Sequence, residues 1–165
     1  GMSVIAWDAY PNQAYVEEGL LTYVSKEELF RKSDLISLHA PLFPSTRHLI
    51  NEESISMMKD TAMLVNTARG GLVDNDALIA ALQKGKFHAV ALDVYEGEDE
   101  NVYTDCSDQP VINDITARLL NFPQVVITSH QAFFTREAMQ AIAVVTMENA
   151  RNFNEGYDLG AAEVK

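Results

Sequence analysis

Residues 62–85 read AMLVNTARGGLVDNDALIAALQKG, and this stretch decides the fold. Its first part, 62–66, is a short apolar run without polar alternation, the pattern of a strand covered on both faces. Arg69, Gly70 and Gly71 form the turn that follows. Asp74 is placed to cap a helix over 75–84, with Gly85 at its exit. Leu78, Ile79 and Leu82 make that helix's buried stripe, while Asn75, Gln83 and Lys84 face water. Working outward, the same alternation recurs from end to end, with strands expected at 4–7, 22–24, 35–39, 62–66, 89–93 and 125–128. Ser25 caps a further helix with Glu28 at capping-box spacing, and Ser33 and Asp34 stop it. No repeat, low-complexity tract or Ser/Gly linker interrupts the pattern. The expectation is a single α/β domain over 1–165, a doubly wound, largely parallel sheet in three layers, α/β/α. The last helix, about 136–153, is apolar on almost every side from Ala138 to Met147, so one sheet face cannot cover it. Another domain or another subunit is expected to pack there.

Composition narrows the function. The chain has 165 residues, 47% of them apolar, which is enough for one sizeable core. Acidic residues number 24 against 12 basic, a formal net charge of −12. That balance argues against nucleic acid, whose phosphates require Lys and Arg clusters, and against anionic membranes. The single cysteine, Cys106, cannot form an internal disulfide and is expected at the surface. No apolar run approaches the roughly eighteen residues of a membrane span. The opening residues, Gly1 to Val4, lack the charged and apolar regions of a signal peptide. A soluble protein of the reducing cytoplasm is expected.

Ligands of open parallel sheets sit beyond the carboxyl ends of the strands. There the sequence is rich in polar groups: VIAWDAYPN brings Asp8, LISLHAPL brings His39 and Pro41, and LVNTARGG brings Arg69. VALDVYEGE brings Asp93 and Glu98, and VITSHQAFFT brings His130. Arg69 offers a planar fork for a carboxylate, a grip Lys does not reproduce. His130 exchanges protons near neutral pH. Glu98 on its second ring nitrogen keeps a proton available for donation, which is what a general acid requires. Together the three suit a 2-oxo acid, with its carboxylate on Arg69 and its carbonyl oxygen facing His130. No side chain supplies a hydride. Asp8, at the end of an early strand, points to the source, because a carboxylate there binds ribose hydroxyls and repels an added 2′-phosphate. NAD is favoured over NADP.

Each of these residues also has a plainer reading. Asp8 suits a turn before Pro11 and Asn12, and a strand-end Arg commonly makes a surface ion pair. Glu98 belongs to a stretch without Lys or Arg between Lys86 and Arg118, the composition of a solvated loop. Glu96, Asp99 and Glu100 are read as solvated. His39 is read as holding its strand–loop junction and His88 as a strand residue. Zinc is not expected, since one cysteine and four scattered histidines give no ligand pair at metal spacing. No serine nucleophile elbow or phosphate loop occurs.

The segments VNTARGGLVD, ALDVYEGE and TSHQAFFT together resemble the D-2-hydroxyacid dehydrogenases, within them the D-lactate dehydrogenase branch. The similarity runs from VIAWDAYPN to about Asn149, and the acidic stretch from Glu98 through Asp114 to Leu120 also resembles that branch. The resemblance implies that Arg69 is the substrate arginine, Glu98 the acidic partner of the histidine and His130 the proton donor. It further implies that Ala40, Pro41 and Thr46 line the adenosine side of NAD, that Thr67 and Ala68 approach the nicotinamide, and that Asp93 contacts the carboxamide.

One departure is plain. The family's GxGxxG turn, the strand before it and the separate substrate domain have no counterpart in these residues, which implies an incomplete Rossmann-type sheet. That turn lets the backbone approach the pyrophosphate, so cofactor affinity is expected to fall without it. The strands at 4–7 and 35–39 lose the neighbour between them. They are expected either to close onto each other or to borrow a strand or helix from a second copy, as a homodimer. Two functions remain in view: reduction of a pyruvate-like 2-oxo acid by NADH, or a catalytically inactive remnant serving as a folding or dimerisation module.

Overall fold

Strands form at all six expected places, each shorter than its apolar run: β1 (Ile5–Ala6), β2 (Thr22–Tyr23), β3 (Leu35–Leu38), β4 (Met63–Asn66), β5 (Ala89–Leu92) and β6 (Val125–Ile127). The computed structural model describes residues 1–98 and 114–162, so Cys106, Asp99 and Glu100 lie outside the described residues. The polypeptide divides into two compact units, residues 1–130 and 131–165.

In the first unit β3, β4, β5 and β6 make a parallel sheet in that order. Leu35 pairs with Met63, Met63 with Ala89, and Val90 with Val125. Around it lie α2 (Lys26–Lys32), α3 (Glu52–Met57), α4 (Asn75–Gln83) and α5 (Asp114–Leu120), while α1 (Gln13–Glu17) connects β1 to β2 and buries no residue. Their starts follow local chemistry. The Ser25 hydroxyl accepts the Glu28 N–H, Asp74 accepts the Ala77 N–H, and Asn51 and Ser54 form a reciprocal capping box. In α2, Glu27 and Glu28 occupy the first turn and Arg31 and Lys32 the last, matching the helix dipole.

The two faces of the sheet are unequally covered. Ile36, Leu38, Leu64, Val90 and Leu92 point into a core filled by Phe30 of α2, Ile55 of α3, Leu78, Ile79 and Leu82 of α4, and Leu119 of α5. The alternate residues face the other way, and there Leu35 and Val126 are 48% and 60% exposed. The expectation of strands buried on both faces therefore holds for one face only. Asn75 is also corrected: it is buried rather than facing water. Its amide is drawn inward because the Nδ2 donates to the Glu96 carbonyl at 3.0 Å.

The expected closure between the first and third strands does not occur. β1 pairs in parallel with β2 alone, Ile5 to Thr22 and Ala6 to Tyr23, in a sheet of its own. The connections explain why. Phe30 anchors α2 in the core, and only Val24–Ser25 and Ser33–Asp34 link that helix to β2 and β3. The β1–β2 pair therefore has no slack with which to zip onto β3.

The second unit is α6 (Arg136–Glu155), capped by Thr135, whose hydroxyl accepts the Ala138 N–H, and ended by Gly156 at φ 75°. No residue of α6 is buried, and Met139, Ile142, Val145, Met147 and Phe153 are all exposed. Among the described residues, no helix is long and apolar enough to cross a membrane.

Candidate active site at the carboxyl rim of the sheet

The loops leaving β4, β5 and β6 carry Arg69, Glu98 and His130, and backbone contacts hold the three loops together. After β4 the chain is shaped by Asn66, a fully buried amide at the end of an apolar strand. Its Oδ1 accepts the Ala68 N–H at 3.1 Å and its Nδ2 donates to the Arg69 carbonyl at 2.9 Å, so the turn presenting Arg69 is tied at both ends to one side chain. The Arg69 guanidinium is exposed and donates to the neighbouring Ala68 carbonyl at 2.7 Å. It takes no carboxylate partner among the described residues.

After β5 the chain makes a tight turn over residues 95–98, with Gly97 at φ 88° and the Glu98 N–H donating to the Tyr95 carbonyl at 3.2 Å. A positive φ at the third position is the type II arrangement, which glycine adopts without penalty. The turn lies directly on Gly70. A Cβ there would stand 2.2 Å from the Tyr95 carbonyl carbon and 2.6 Å from the Glu96 nitrogen. The glycine beside Arg69 is thus the surface on which the Glu98 turn rests.

After β6, His130 adopts φ 52°, a left-handed conformation uncommon for a non-glycine residue. Its N–H donates to the Asp93 carbonyl at 2.8 Å, fixing it to the end of β5. The ring is thereby aimed at Glu98, with Nδ1 to Oε1 at 3.0 Å. The Glu98 side chain is only 12% exposed, and its other oxygen accepts the Tyr95 N–H. An ionised Glu98 requires the proton on Nδ1. The ring's other nitrogen, Nε2, has no partner among the described residues and is the atom left to meet a ligand.

A cavity of about 640 Å³ opens beside Arg69, lined by His39, Ala40, Pro41, Leu42 and Ala68, a size typical of small-molecule sites. His39 shares a 2.8 Å hydrogen bond with the Ser37 hydroxyl, in keeping with a junction residue, and it also lines this cavity. His88 is exposed and precedes β5 rather than lying in it. Thr67 is exposed at the same turn, and Asp93 is buried, accepting the Thr128 hydroxyl at 2.5 Å. Two residues are otherwise engaged. The Thr46 hydroxyl donates to the Pro41 carbonyl at 2.6 Å and accepts the Phe43 N–H, shaping its own loop. Asp8 lies apart, after β1, where its Oδ1 accepts the Tyr10 N–H at 2.8 Å in an Asx turn.

Sequence reasoning missed several residues. Glu96, read as solvated, pairs instead with Arg47 and, at 3.0 Å, with His48. Asn66 carried a usable signal, because period-two alternation puts it on the buried face with Leu64, and a buried amide must find partners. Nothing in the local sequence links Arg47 and His48 to Glu96, which lies almost fifty residues away.

Residues 1–132 match the NAD binding domain of the D-isomer specific 2-hydroxyacid dehydrogenases. The chain belongs to that family. A D-lactate dehydrogenase of Escherichia coli K12 is 42% identical over 156 residues, 94% of this chain and 47% of that protein. A 2-hydroxyacid dehydrogenase homolog of Schizosaccharomyces pombe is 42% identical over 153 residues, 93% of this chain and 46% of that protein. Among solved structures, a D-lactate dehydrogenase from Treponema pallidum superposes with a TM-score of 0.88 at 40% identity, covering 99% of this chain and 48% of that one. The Aquifex aeolicus D-lactate dehydrogenase, complexed with NAD and lactic acid, gives 0.85 at 36% identity, covering 100% and 51%. The chain spans about half the length of the curated relatives it matches. The parallel sheet flanked by helices is thus an α/β fold of the Rossmann type, and the family's cofactor is NAD.

Proposed function

We propose that these residues supply the acid–base and carboxylate-binding groups of an NAD-dependent D-2-hydroxyacid dehydrogenase acting on a pyruvate-like 2-oxo acid. The observation that carries this reading is the 3.0 Å contact between His130 Nδ1 and Glu98 Oε1, on the same rim as an Arg69 that has no carboxylate partner among the described residues. The rim fits the nicotinamide end of NAD: the cavity beside Ala40, Pro41 and Ala68 is of suitable size, Thr67 is exposed, and Asp93 is held in place for a carboxamide. At the adenosine end the reading assigns Asp8 to the ribose and Thr46 to the lining of the site. The chemistry NADH would supply here, when bound, is the hydride for the carbonyl carbon. Arg69 holds the substrate carboxylate by two parallel hydrogen bonds. His130 gives the proton on Nε2 to the carbonyl oxygen, and Glu98 retains the Nδ1 proton and stabilises the cationic ring before transfer. The product is the D-2-hydroxy acid, and the reverse reaction returns the proton to the same nitrogen.

A second reading, an inactive folding or dimerisation module, is favoured by the edges of β1 and β3, which pair with no further strand among the described residues. A homodimer would offer those edges and the apolar α6 a partner. A reducing cytoplasm is the compartment that suits a chain with one cysteine. Titrating NADH fluorescence and then following pyruvate-dependent loss of reduced-cofactor absorbance separates the readings. Saturable binding with turnover supports the enzyme, whereas millimolar or absent binding without turnover overturns it for this chain. Sedimentation analysis tests the dimer, which a monomer at all concentrations would refute.

A further inference from the structure

Glu98 is reached by a short turn whose own hydrogen bonds are long: 3.2 Å from the Glu98 N–H to the Tyr95 carbonyl, and 3.3 Å from the Tyr95 N–H to the Glu98 carboxylate. Both are longer than the commonest 2.9–3.0 Å, and the corner of the turn is held by closer contacts. The corner residue, Glu96, is gripped from three directions. Its carboxylate meets the Arg47 guanidinium on one oxygen and His48 Nε2 at 3.0 Å on the other. Its carbonyl accepts Asn75 Nδ2 at 3.0 Å. His48 is itself fixed. Its N–H donates to the Gly71 carbonyl at 2.9 Å, its φ of 51° is left-handed, and its Nδ1 lies 3.8 Å from the Asp74 carboxylate. Asp74 in turn caps α4, just beyond the Arg69 turn.

We propose that Glu96 is a positioning residue. With Arg47 and His48 it forms an ionic brace that holds the Tyr95–Glu98 turn where the Glu98 carboxylate meets His130 Nδ1. The inference rests on the reading of His130 and Glu98 as the acid–base pair. The brace joins the loop before α3, the Arg69 turn and the Glu98 turn. The substrate-binding arginine and the acid–base pair are therefore set relative to each other by side chains that touch neither. Charge-assisted bonds to a half-buried carboxylate suit this task, being stronger and more directional than the turn's own amide contacts.

The tautomer of His130 tests the brace without requiring turnover, because the hydrogen bond at one ring nitrogen decides which nitrogen carries the proton. Imidazole ¹⁵N shifts of the full chain, recorded at alkaline pH where the ring is neutral, report this directly. The parent is expected to show His130 with its proton on Nδ1. Glu98→Ala should move the proton to Nε2, and Glu96→Ala should move it largely the same way, while Glu96→Gln, which keeps an acceptor, should restore most of the parent signal. Arg47→Ala leaves the turn's sequence intact and should give an intermediate shift, and it serves as the reporter if Glu96→Ala does not fold. An Nδ1 proton lost in Glu98→Ala but unchanged in both Glu96→Ala and Arg47→Ala overturns the brace alone. A parent with its proton on Nε2, or one indifferent to Glu98→Ala, overturns the acid–base reading and the brace with it.

Discussion

Gly70 and Gly71 are adjacent in sequence, yet the structure gives a methyl group opposite receptions at the two positions. In Gly70→Ala the new Cβ would lie 2.2 Å from the Tyr95 carbonyl carbon, 2.3 Å from its oxygen and 2.6 Å from the Glu96 nitrogen. All three are backbone atoms, so no rotamer change relieves the clash. Reaching an ordinary 3.4 Å contact requires the turn to move by about 1.2 Å. That movement stretches the 3.0 Å contact between Glu98 and His130 beyond hydrogen-bond range. Overpacking of this kind costs about 1–3 kcal/mol, and a backbone-on-backbone clash belongs at the upper end. At roughly 2–4 °C per kcal/mol for a chain of this size, the melting temperature should fall by about 6–12 °C. In Gly71→Ala the Cβ meets the Leu42 side-chain methyls at 3.0 and 3.3 Å. Leu42 is exposed and free to turn aside, so the cost should stay below about 1 kcal/mol. Thermal unfolding followed by circular dichroism measures both variants. A Gly70→Ala chain as stable as Gly71→Ala, with the His130 tautomer unchanged, would refute the claim that the Arg69 and Glu98 loops rest on each other.

Asn66→Ala leaves the Ala68 N–H and the Arg69 carbonyl without their partner and should cost about 1–3 kcal/mol in urea unfolding, whereas a loss under about 0.5 kcal/mol would show that the turn holds its shape unaided. Where turnover is measured, Arg69→Lys should raise KM for the 2-oxo acid far more than Kd for NADH, because only the bidentate grip is lost. His130→Gln should lower kcat by roughly 10²–10⁴ while sparing NADH affinity, and the reverse pattern in either variant contradicts its role. Glu27 has a pKa below the ordinary carboxylate value, because backbone N–H donation and then the Ser25 hydroxyl favour its charged form. Its contribution to stability is present above the ordinary value and is lost as pH falls through the lowered one. Glu27→Gln should therefore lower stability slightly at neutral pH, flatten the acid arm of the profile and leave stability below the lowered value nearly unchanged. Amide hydrogen exchange should be faster in β1 and β2 than in β4 and β5, since the two-stranded sheet has no interior strand, and equal protection would contradict the separation of the sheets.

The strands were legible because each is an apolar run bounded by a capping residue, and Asp74 and Ser25 announce their helices by side-chain chemistry that acts within three residues. Arg69 and His130 were legible for a related reason: a polar group immediately after a buried strand has one rim to occupy. Long-range electrostatics was not legible. Glu96 lies in an acidic stretch and looks solvated until folding brings Arg47 and His48 to it. Asn75 follows a capping Asp and looks like an exposed helix residue until its amide finds the Glu96 carbonyl. In both cases the deciding partner comes from a different loop, and loop-to-loop distances have no local signature.

The groups that shape the rim sit apart from the uneven coverage of the sheet. The groups that position Arg69 and His130 are anchored on β4, β5 and β6, with Asn66 and Asp93 buried at their ends. The partly exposed face presents Leu35 and Val126, whereas Asn66 lies on the buried face with Leu64. Asp8 stands on the other side of this division, on a two-stranded sheet whose edge is open and whose strands hold only two residues each. Under the proposed function a ligand at Asp8 rests on that short sheet, whereas a ligand at Arg69 and His130 rests on loops of the four-stranded one. On that reading the small acid and its proton therefore fall to the loops of the four-stranded sheet, and the ribose contact to the two-stranded one.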